Sequence, residues 1–549
     1  GVAELLGLYA RANAGFVRDA VRRHPRLHDM YRFHLDTLCL DRYYPRTGDT
    51  GSFAEKVSGY AGVAFNRNPG VNPSSFTFMW DLYEATGDVD LVRLLYRANG
   101  STVDGLPCDL LASDPARFQA QVARTISDNG AGLELRSINK TEWCIAILRS
   151  GHGANARAAW LDYDSGERHG HADAMTIGLF AKGLDLLPDF GYPPVQYGGW
   201  SAPRAVWYTQ TAAHNTVTVD GANTRPGKGR TTLWFDGVQF RAVRASGPQL
   251  SGAQQYERTL ALVDLSEKDA YLVDVFRVAG GTEHTRFLHG HFGRLLTHGL
   301  SLAPMDEPRW GGLMRNLARD TAPSRPWSVD WLVEDKLKYL APSAQVRLRH
   351  TDLTTDTTVA LAETWVSISG FGGTGQAWIP SVLVTRRAEQ SPLASTFVGV
   401  LEPFEEKSNI GSIRRLPLVD GSGNVCPDQD VGLEIRLADG RRDLVIALDT
   451  GERSAANPES SVGRLVVAPE HSVQFEGDFC VVRYDPAGKV LNVLFCRGRS
   501  LRAGGLTVRT RDGNANLEID LGRADTPVVS GPSEAVELIS AGGVRLWPR

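Results

Sequence analysis

Residues 168–221 read RHGHADAMTIGLFAKGLDLLPDFGYPPVQYGGWSAPRAVWYTQTAAHNTVTVDG. His169 and His171 are two apart in HGHAD, a spacing that on an extended chain puts both rings on one side. The apolar run MTIGLFAKG then reads as a strand. LLPDFGY is a turn carrying Asp189, and His214 heads the β-branched run of AAHNTVTVDG. Two histidines and a carboxylate from neighbouring strands make an N/N/O set of the kind zinc takes. The plainer reading is that each histidine is a hydrogen-bonded core residue, and an HxH pair alone is a weak metal signal. Ligands drawn from closed strands suit a structural ion better than a catalytic one.

Upstream of this stretch the chain reads helical. VAELLGLYARANAGFVRDAV has apolar residues at helical spacing until Pro25. LHDMYRFHLDTLCL is a second helix, and SSFTFMWDLYEATGDVDLVRLLYRANG gives two more, punctuated at Gly87 and Gly100. DPARFQAQVARTIS has Asp114 placed as N-cap and Pro115 at the first helical position. LDRYYPRTGDTGSF lies among these as a loop of turn formers. Near residue 130 the period changes. From there nearly every segment is a short β-rich run bounded by Gly, Asp, Asn or Pro, with VFRVAGGTEH and HGHFG read as loops. EDKLKYL, residues 334–340, reads as the one helical break. Helices first and strands after imply separate domains. The expected division is a helical domain over 1–125, a central β-sandwich over 126–394 and a C-terminal β-subdomain over 395–549. The fold class is multidomain α+β with a large antiparallel β-sandwich region.

A chain of 549 residues is too long for one core. Its net charge of −4 implies no general affinity for nucleic acid or an anionic membrane, so a polyanionic partner would need a local basic groove. No apolar run is long enough to span a bilayer. The six cysteines, Cys39, Cys108, Cys144, Cys426, Cys480 and Cys496, have no framework spacing and read as buried small hydrophobes. The opening GVAELLGLYA has neither an initiator Met nor a signal peptide, so a processed chain or a fragment is expected.

HGHAD, LLPDFGY and AHNTVTVDG together resemble the β-domain signature of the heparinase II/III-like polysaccharide lyases, a group with heparin/heparan lyases and exo-acting alginate lyases. YERTLALVDLSEKDAYLVDVFRVAGGTEHTRFLHG, residues 256–290, resembles the next block of that domain. The resemblance implies that His171, Asp189 and His214 bind a structural Zn2+ and that His169 sits in the active site near a substrate carboxylate. It also implies an incomplete α/α toroid ahead of the sandwich, an acidic polysaccharide substrate and a periplasmic or secreted setting. With about 125 helical residues the chain would carry only the last helices of such a toroid. The Asn or His pair that the family places on earlier helices has no candidate here. A homo-oligomer is left open.

The chemistry implied is β-elimination at a uronate: a base takes the C-5 proton, an acid protonates the leaving O-4, and the carboxylate is neutralised. His169 suits the first or last of these tasks and a tyrosine suits proton donation. By the resemblance the tyrosine comes from the end of the helical domain, where Tyr43 and Tyr44 are best placed and Tyr31 and Tyr60 less so. Tyr192 and Tyr197 fit a second, pocket-lining position. Each can equally be an aromatic packed between domains. Arg204, Trp200 and His289 are candidate substrate contacts. Arg225, Lys228 and Arg230 read as a solvated loop. His291 forms a second HxH with His289 but lacks a third ligand. The rival readings are a glycoside hydrolase, which needs a framed carboxylate pair, and a non-catalytic carbohydrate-binding protein or fragment on the same fold. A zinc hydrolase lacks an HExxH-like base.

Overall fold

The structure is a computed structural model that describes residues 1–166, 169–305, 310–368, 373–451, 464–511, 513, 515–522, 526–532, 536–540 and 543–547. Two compact units divide the chain: Gly1–Tyr44 with Lys56–Arg136, and Pro45–Glu55 with Ser137–Arg549.

The first unit is helical. Its helices are Val2–Ala12, Phe16–Arg23, Arg26–Asp36, Ser75–Thr86, Val89–Ala98 and Pro115–Asn129. Their starts follow side-chain chemistry. Ser74 Oγ accepts from Phe76 N at 3.0 Å, Asp88 from Asp90 N at 3.2 Å and Asp114 from Arg117 N at 2.9 Å, each satisfying an otherwise orphaned amide. The first apolar run is broken earlier than Pro25. Asn13 is extended, and its Oδ1 takes Gly15 N, so two helices stand where one run was expected. Phe76, Met79, Leu82, Leu91, Leu95 and Val122 close the core.

The second unit is built from antiparallel sheets, and its β-content after residue 137 bears out the α+β class. An eight-stranded sheet is central. One of its faces packs Leu260, Leu262, Leu272 and Phe276 against strands of a five-stranded and a six-stranded sheet. The other packs Ala261, Val263, Tyr271, Val273 and Val275 against a seven-stranded sheet. That explains why the strands Gln255–Asp264 and Ala270–Ala279 read as unbroken apolar runs: alternate residues enter two different cores. A second seven-stranded sheet covers the far side of the first.

Three expectations change. The strand Ala394–Phe404 pairs with Ala270–Ala279 inside the eight-stranded sheet, so the change of sheet system falls after Phe404 and not at 395. VFRVAGGTEH is mostly strand, being the end of Ala270–Ala279, a short turn and the start of Glu283–His289. Residues 334–340 form turns, with Asp335 Oδ2 taking Leu340 N at 2.7 Å and Lys338 at φ +56°; among the described residues the α-helix of this unit is Pro203–Tyr208. The last residues of TTVALAETWVSISGFG lie outside the described residues.

Candidate functional site

The site lies in the second unit, where three loops converge. His171 sits between the strands Asp164–Ser165 and Ile177–Ala181. Asp189 follows Leu184–Asp185, and His214 precedes Val217–Val219. The segment Pro45–Glu55 joins them through Asp49.

His169 and His171 do not share a face. His169 is at φ +64° in a turn, so the extended geometry behind that expectation is absent. Its side chain is 68% exposed, whereas that of His171 is 1% exposed. Glycine is required between them: a Cβ on Gly170 would stand 1.5 Å from Gly166 O. Gly48 allows a second close approach, since its Cβ would lie 2.5 Å from His169 O. There Asp49 N donates to His169 O at 2.9 Å.

Asp49 then divides its carboxylate. Oδ2 accepts from His169 Nδ1 at 3.0 Å and Oδ1 from His171 Nε2 at 3.1 Å. Asp189 Oδ2 accepts from His214 Nδ1 at 2.6 Å, while its Oδ1 takes Gly191 N at 2.9 Å. Each buried imidazole thus donates one N–H to a carboxylate. The opposite atoms, His171 Nδ1 and His214 Nε2, are buried without a hydrogen-bond partner among the described residues. Orphaned imidazole nitrogens are costly unless something accepts their lone pairs. Ligand atoms of His171, Asp173 and His214 all lie within 4.8 Å of one another, a set able to hold a metal ion.

This set differs from the expected one in a single member. Asp173, the last residue of HGHAD, is the carboxylate of this set, and Asp189, the one expected, bonds His214 through Nδ1. A carboxylate behind a ligating histidine is the usual outer partner of a metal site. Burial pushes the Asp173 carboxyl up to about 7, with Asp189 and Asp164 adding to the rise against the pull of His214. Burial also lowers His171, aided by His214. For Asp189, burial is outweighed by His214, which holds the carboxyl below its ordinary range; His214 is raised in turn because Asp189 outweighs its own burial.

Behind the loops lies a buried brace. Arg258 Nη1 donates to Met175 O and to Asn215 O, both at 2.6 Å, and Asp274 grips the same guanidinium at 2.8 and 2.6 Å. Thr216 Oγ1 donates to Ala174 O, and Tyr256 Oη to Val217 O, each at 2.6 Å. Asn215 Oδ1 takes His289 N at 2.7 Å. Arg258 and Thr216 therefore tie the His214 loop to the residues that follow HGHAD, and Tyr256 and His289 hold the His214 loop from behind. Asp49, Asp173 as a candidate ligand, and Arg258 were missed by sequence reasoning. The only signals were the Gly-Asp-Thr-Gly turn, the D of HxHxD and an arginine within an apolar strand.

The remaining candidates separate. His289 is fully buried, with Nδ1 on Ser381 Oγ at 2.8 Å and Nε2 on Ala212 O at 2.9 Å, so its ring has no free face for a substrate. Tyr197 Oη donates to Gly375 O at 3.0 Å, and the Arg204 guanidinium carbon stands 4.7 Å from the ring centres of both Tyr197 and Trp365. Tyr192 packs against Trp200 with ring centres 5.6 Å apart, and Trp200 is exposed. In the helical unit Tyr43 is fully buried. Tyr44 Oη accepts from Ala61 N at 3.1 Å, and burial pushes its phenol up to about 12.

Residues 142–294 match the family model described as Heparinase II/III-like, C-terminal. A heparin-sulfate lyase of Pedobacter heparinus is 34% identical over 104 residues, covering 18% of this chain and 16% of the relative. An exo-oligoalginate lyase of Saccharophagus degradans is 25% identical over 283 residues, covering 47% and 37%. The chain thus spans well under half the length of these curated relatives. Among solved structures, a heparan sulfate lyase from Pedobacter heparinus aligns over 81% of this chain and 58% of its own, at 16% identity and a TM-score of 0.47. The matched segment, which contains HGHAD, Asp189, His214 and the Arg258 brace, is thus similar to the heparinase II/III-like C-terminal domain.

Proposed function

We propose that the chain is a polysaccharide lyase acting on a uronate-containing polysaccharide by β-elimination, with a structural zinc ion beside the reacting residues. The observation that carries this reading is His169. It is exposed, its Nδ1–H is fixed by Asp49, and Nε2 has no partner among the described residues. It stands two residues from a buried metal-type histidine within the matched segment. A histidine so held presents an oriented ring nitrogen to a substrate.

In the proposed reaction, His169 Nε2 takes the proton from C-5 of the uronate. The electron pair forms the C-4/C-5 double bond, the bond from C-4 to O-4 breaks, and a tyrosine O–H protonates O-4. Protonated His169 then faces the substrate carboxylate and offsets its charge until solvent removes the proton. Tyr192 is the proposed donor. Supporting it over Tyr197 is the bond from Tyr197 Oη to Gly375 O. Trp200 and Arg204 are proposed to contact the sugar and its carboxylate. His171, Asp173 and His214 would hold the ion, with Asp189 and Asp49 behind the two histidines. A bound zinc would supply a structural cross-link between the loop that carries His169 and His171 and the loop that carries His214.

Incubation with alginate, heparan sulfate, heparin, hyaluronan and chondroitin tests this, following the ultraviolet absorbance of an unsaturated uronate. A signal with one polymer that vanishes in His169→Ala supports the reading and identifies the substrate. New reducing ends without that absorbance indicate hydrolysis, and silence on all five counts against the proposal.

A further inference from the structure

A second polar groove lies on the six-stranded sheet, away from the histidines. One face of this sheet sends Leu288, Val359, Val382 and Val384 into the core shared with the eight-stranded sheet. The opposite face carries Phe287, Leu383 and Ala362 under Trp207, Tyr208 and Trp310. Towards the Glu283 end of the strand Glu283–His289 this opposite face turns hydrophilic. Thr285, Thr385 and Thr358 stand side by side across three strands, and the hydroxyls of Thr285 and Thr385 are 3.0 Å apart. Arg319 lies on the same face, in register with Ala360.

Thr358 and Thr385 line a groove of about 420 Å3 with Arg325, Arg387, Asp356 and Thr321. It continues over Thr358, Thr385 and Arg387 into a hollow of about 50 Å3 beside Trp310 and Arg319. Arg387 is held by Glu283 at 2.6 Å. Arg319 and Arg325 make no ion pair among the described residues. Asp356 stands 3.7 Å from Arg386, so both carboxylates near the groove have an arginine partner, and Arg319 and Arg325 are in excess on a protein whose net charge is −4. A concave, hydroxyl-rich surface with an excess of arginine and one aromatic wall is built for a small anion that also carries hydroxyls.

We propose that this groove is a second binding site for an acidic oligosaccharide, separate from the site around His169. The choice of ligand rests on the proposed lyase reading; the groove chemistry stands without it. Carboxylates or sulfates would pair with Arg319 and Arg325, and ring hydroxyls with the threonine row. A nucleic acid would need a longer cationic track and would meet Asp356 and Glu283 in this one. A peptide strand would need an open sheet edge, whereas the strands that floor the groove are paired on both sides. The strand Glu283–His289 links the two sites: His289 N bonds Asn215, next to His214, and Glu283 stands at the groove, roughly 20 Å away at the rise of an extended chain. A polymer held at both places would be tethered while its end reacts.

The test is calorimetric titration of the His169→Ala protein with an alginate hexasaccharide, a heparin hexasaccharide and uncharged cellohexaose. An acidic hexasaccharide should show a salt-sensitive binding event that cellohexaose lacks. In His169→Ala/Arg319→Gln/Arg325→Gln that event should weaken about tenfold per arginine removed. Arg325 is exposed and Arg319 half-buried, and unchanged thermal unfolding verifies that the fold is kept. Equal affinity in the two proteins overturns the proposal. So does binding of neither acidic hexasaccharide, or displacement of the bound saccharide by duplex DNA at lower concentration. The readout is binding, so failure of the lyase reading leaves this test intact, and cleavage without arginine-dependent binding overturns only the groove.

Discussion

Asp49 and His169 lie 120 residues apart and meet at 3.0 Å, the carboxylate oxygen fixing the ring of the exposed histidine through Nδ1. The same carboxylate reaches the buried His171 with its other oxygen. One side chain therefore couples the proposed reacting group to the proposed metal ligand. Asp49→Asn keeps the shape but offers one acceptor where two are needed. Lyase activity should fall about a hundredfold, the range expected when a proton-transfer group is misoriented. Metal affinity should fall about tenfold, as for loss of an outer partner. His169→Ala should abolish activity with metal content unchanged. Turnover assays beside metal analysis check both, and wild-type activity in Asp49→Asn would remove Asp49 from the site.

The ligand set makes a separate prediction. His171→Ala, His214→Ala and Asp173→Ala should each lose the bound zinc and lower the unfolding temperature. Asp189→Asn should retain the ion with affinity reduced by about 10- to 100-fold, because Asp189 acts through His214 Nδ1. Chelator titration with metal analysis distinguishes the two classes. Full zinc in Asp173→Ala with none in Asp189→Asn would exchange their roles and restore the set expected from sequence.

How much of this was legible beforehand depends on the range of each contact. The strand Ile177–Ala181, the capped helix Pro115–Asn129 and the change of period near residue 130 are local patterns and appear where they were read. His171 and His214 were legible because HxH and a histidine heading a β-branched run are local too. Asp49 was not, since nothing in RTGDTG indicates a partner 120 residues on. Asp173 and Asp189 are both acids beside histidines, and only the fold decides which ring atom each meets. The 334–340 helix failed because its chain forms tight turns around Asp335. His289 was taken for a site residue by proximity in sequence to the sheet. Its burial, with both ring nitrogens bonded, makes it a brace for the Asn215 loop instead.

The brace itself can be tested. Asp274 bonds Arg258 twice and reaches Arg286 at 2.6 Å, all with fully buried side chains. Asp274→Asn leaves two guanidinium groups buried without their carboxylate. Breaking such a network by removing one partner costs about 3–5 kcal/mol. Chemical unfolding should show a loss of that order. Because Arg258 also holds Met175 O and Asn215 O, zinc affinity should drop with it. A variant as stable as the parent would show that these charges are not carried as the structure places them.

His291 sets a pH dependence apart from the metal site. Its ring is buried against Phe53 and Phe292, and neither nitrogen has a hydrogen-bond partner among the described residues. Burial pushes its pKa down to about 4, with Asp335 opposing and Lys336 assisting. The folded value lies below the unfolded one of about 6.5. Between these values the unfolded chain takes up a proton that the folded protein refuses, so stability rises with pH across this window and is lost as pH falls from 6.5 towards 4. The full loss is on the order of 3 kcal/mol. His289, also pushed down to about 4 by burial, adds a contribution of the same sign. His291→Phe replaces an unpartnered imidazole by a ring that stacks on the same neighbours and does not titrate. Its unfolding free energy should decline less steeply than that of the wild type between pH 6.5 and 4, and run parallel to it above pH 7. Identical slopes across the acid window would mean that His291 is protonated in the folded protein.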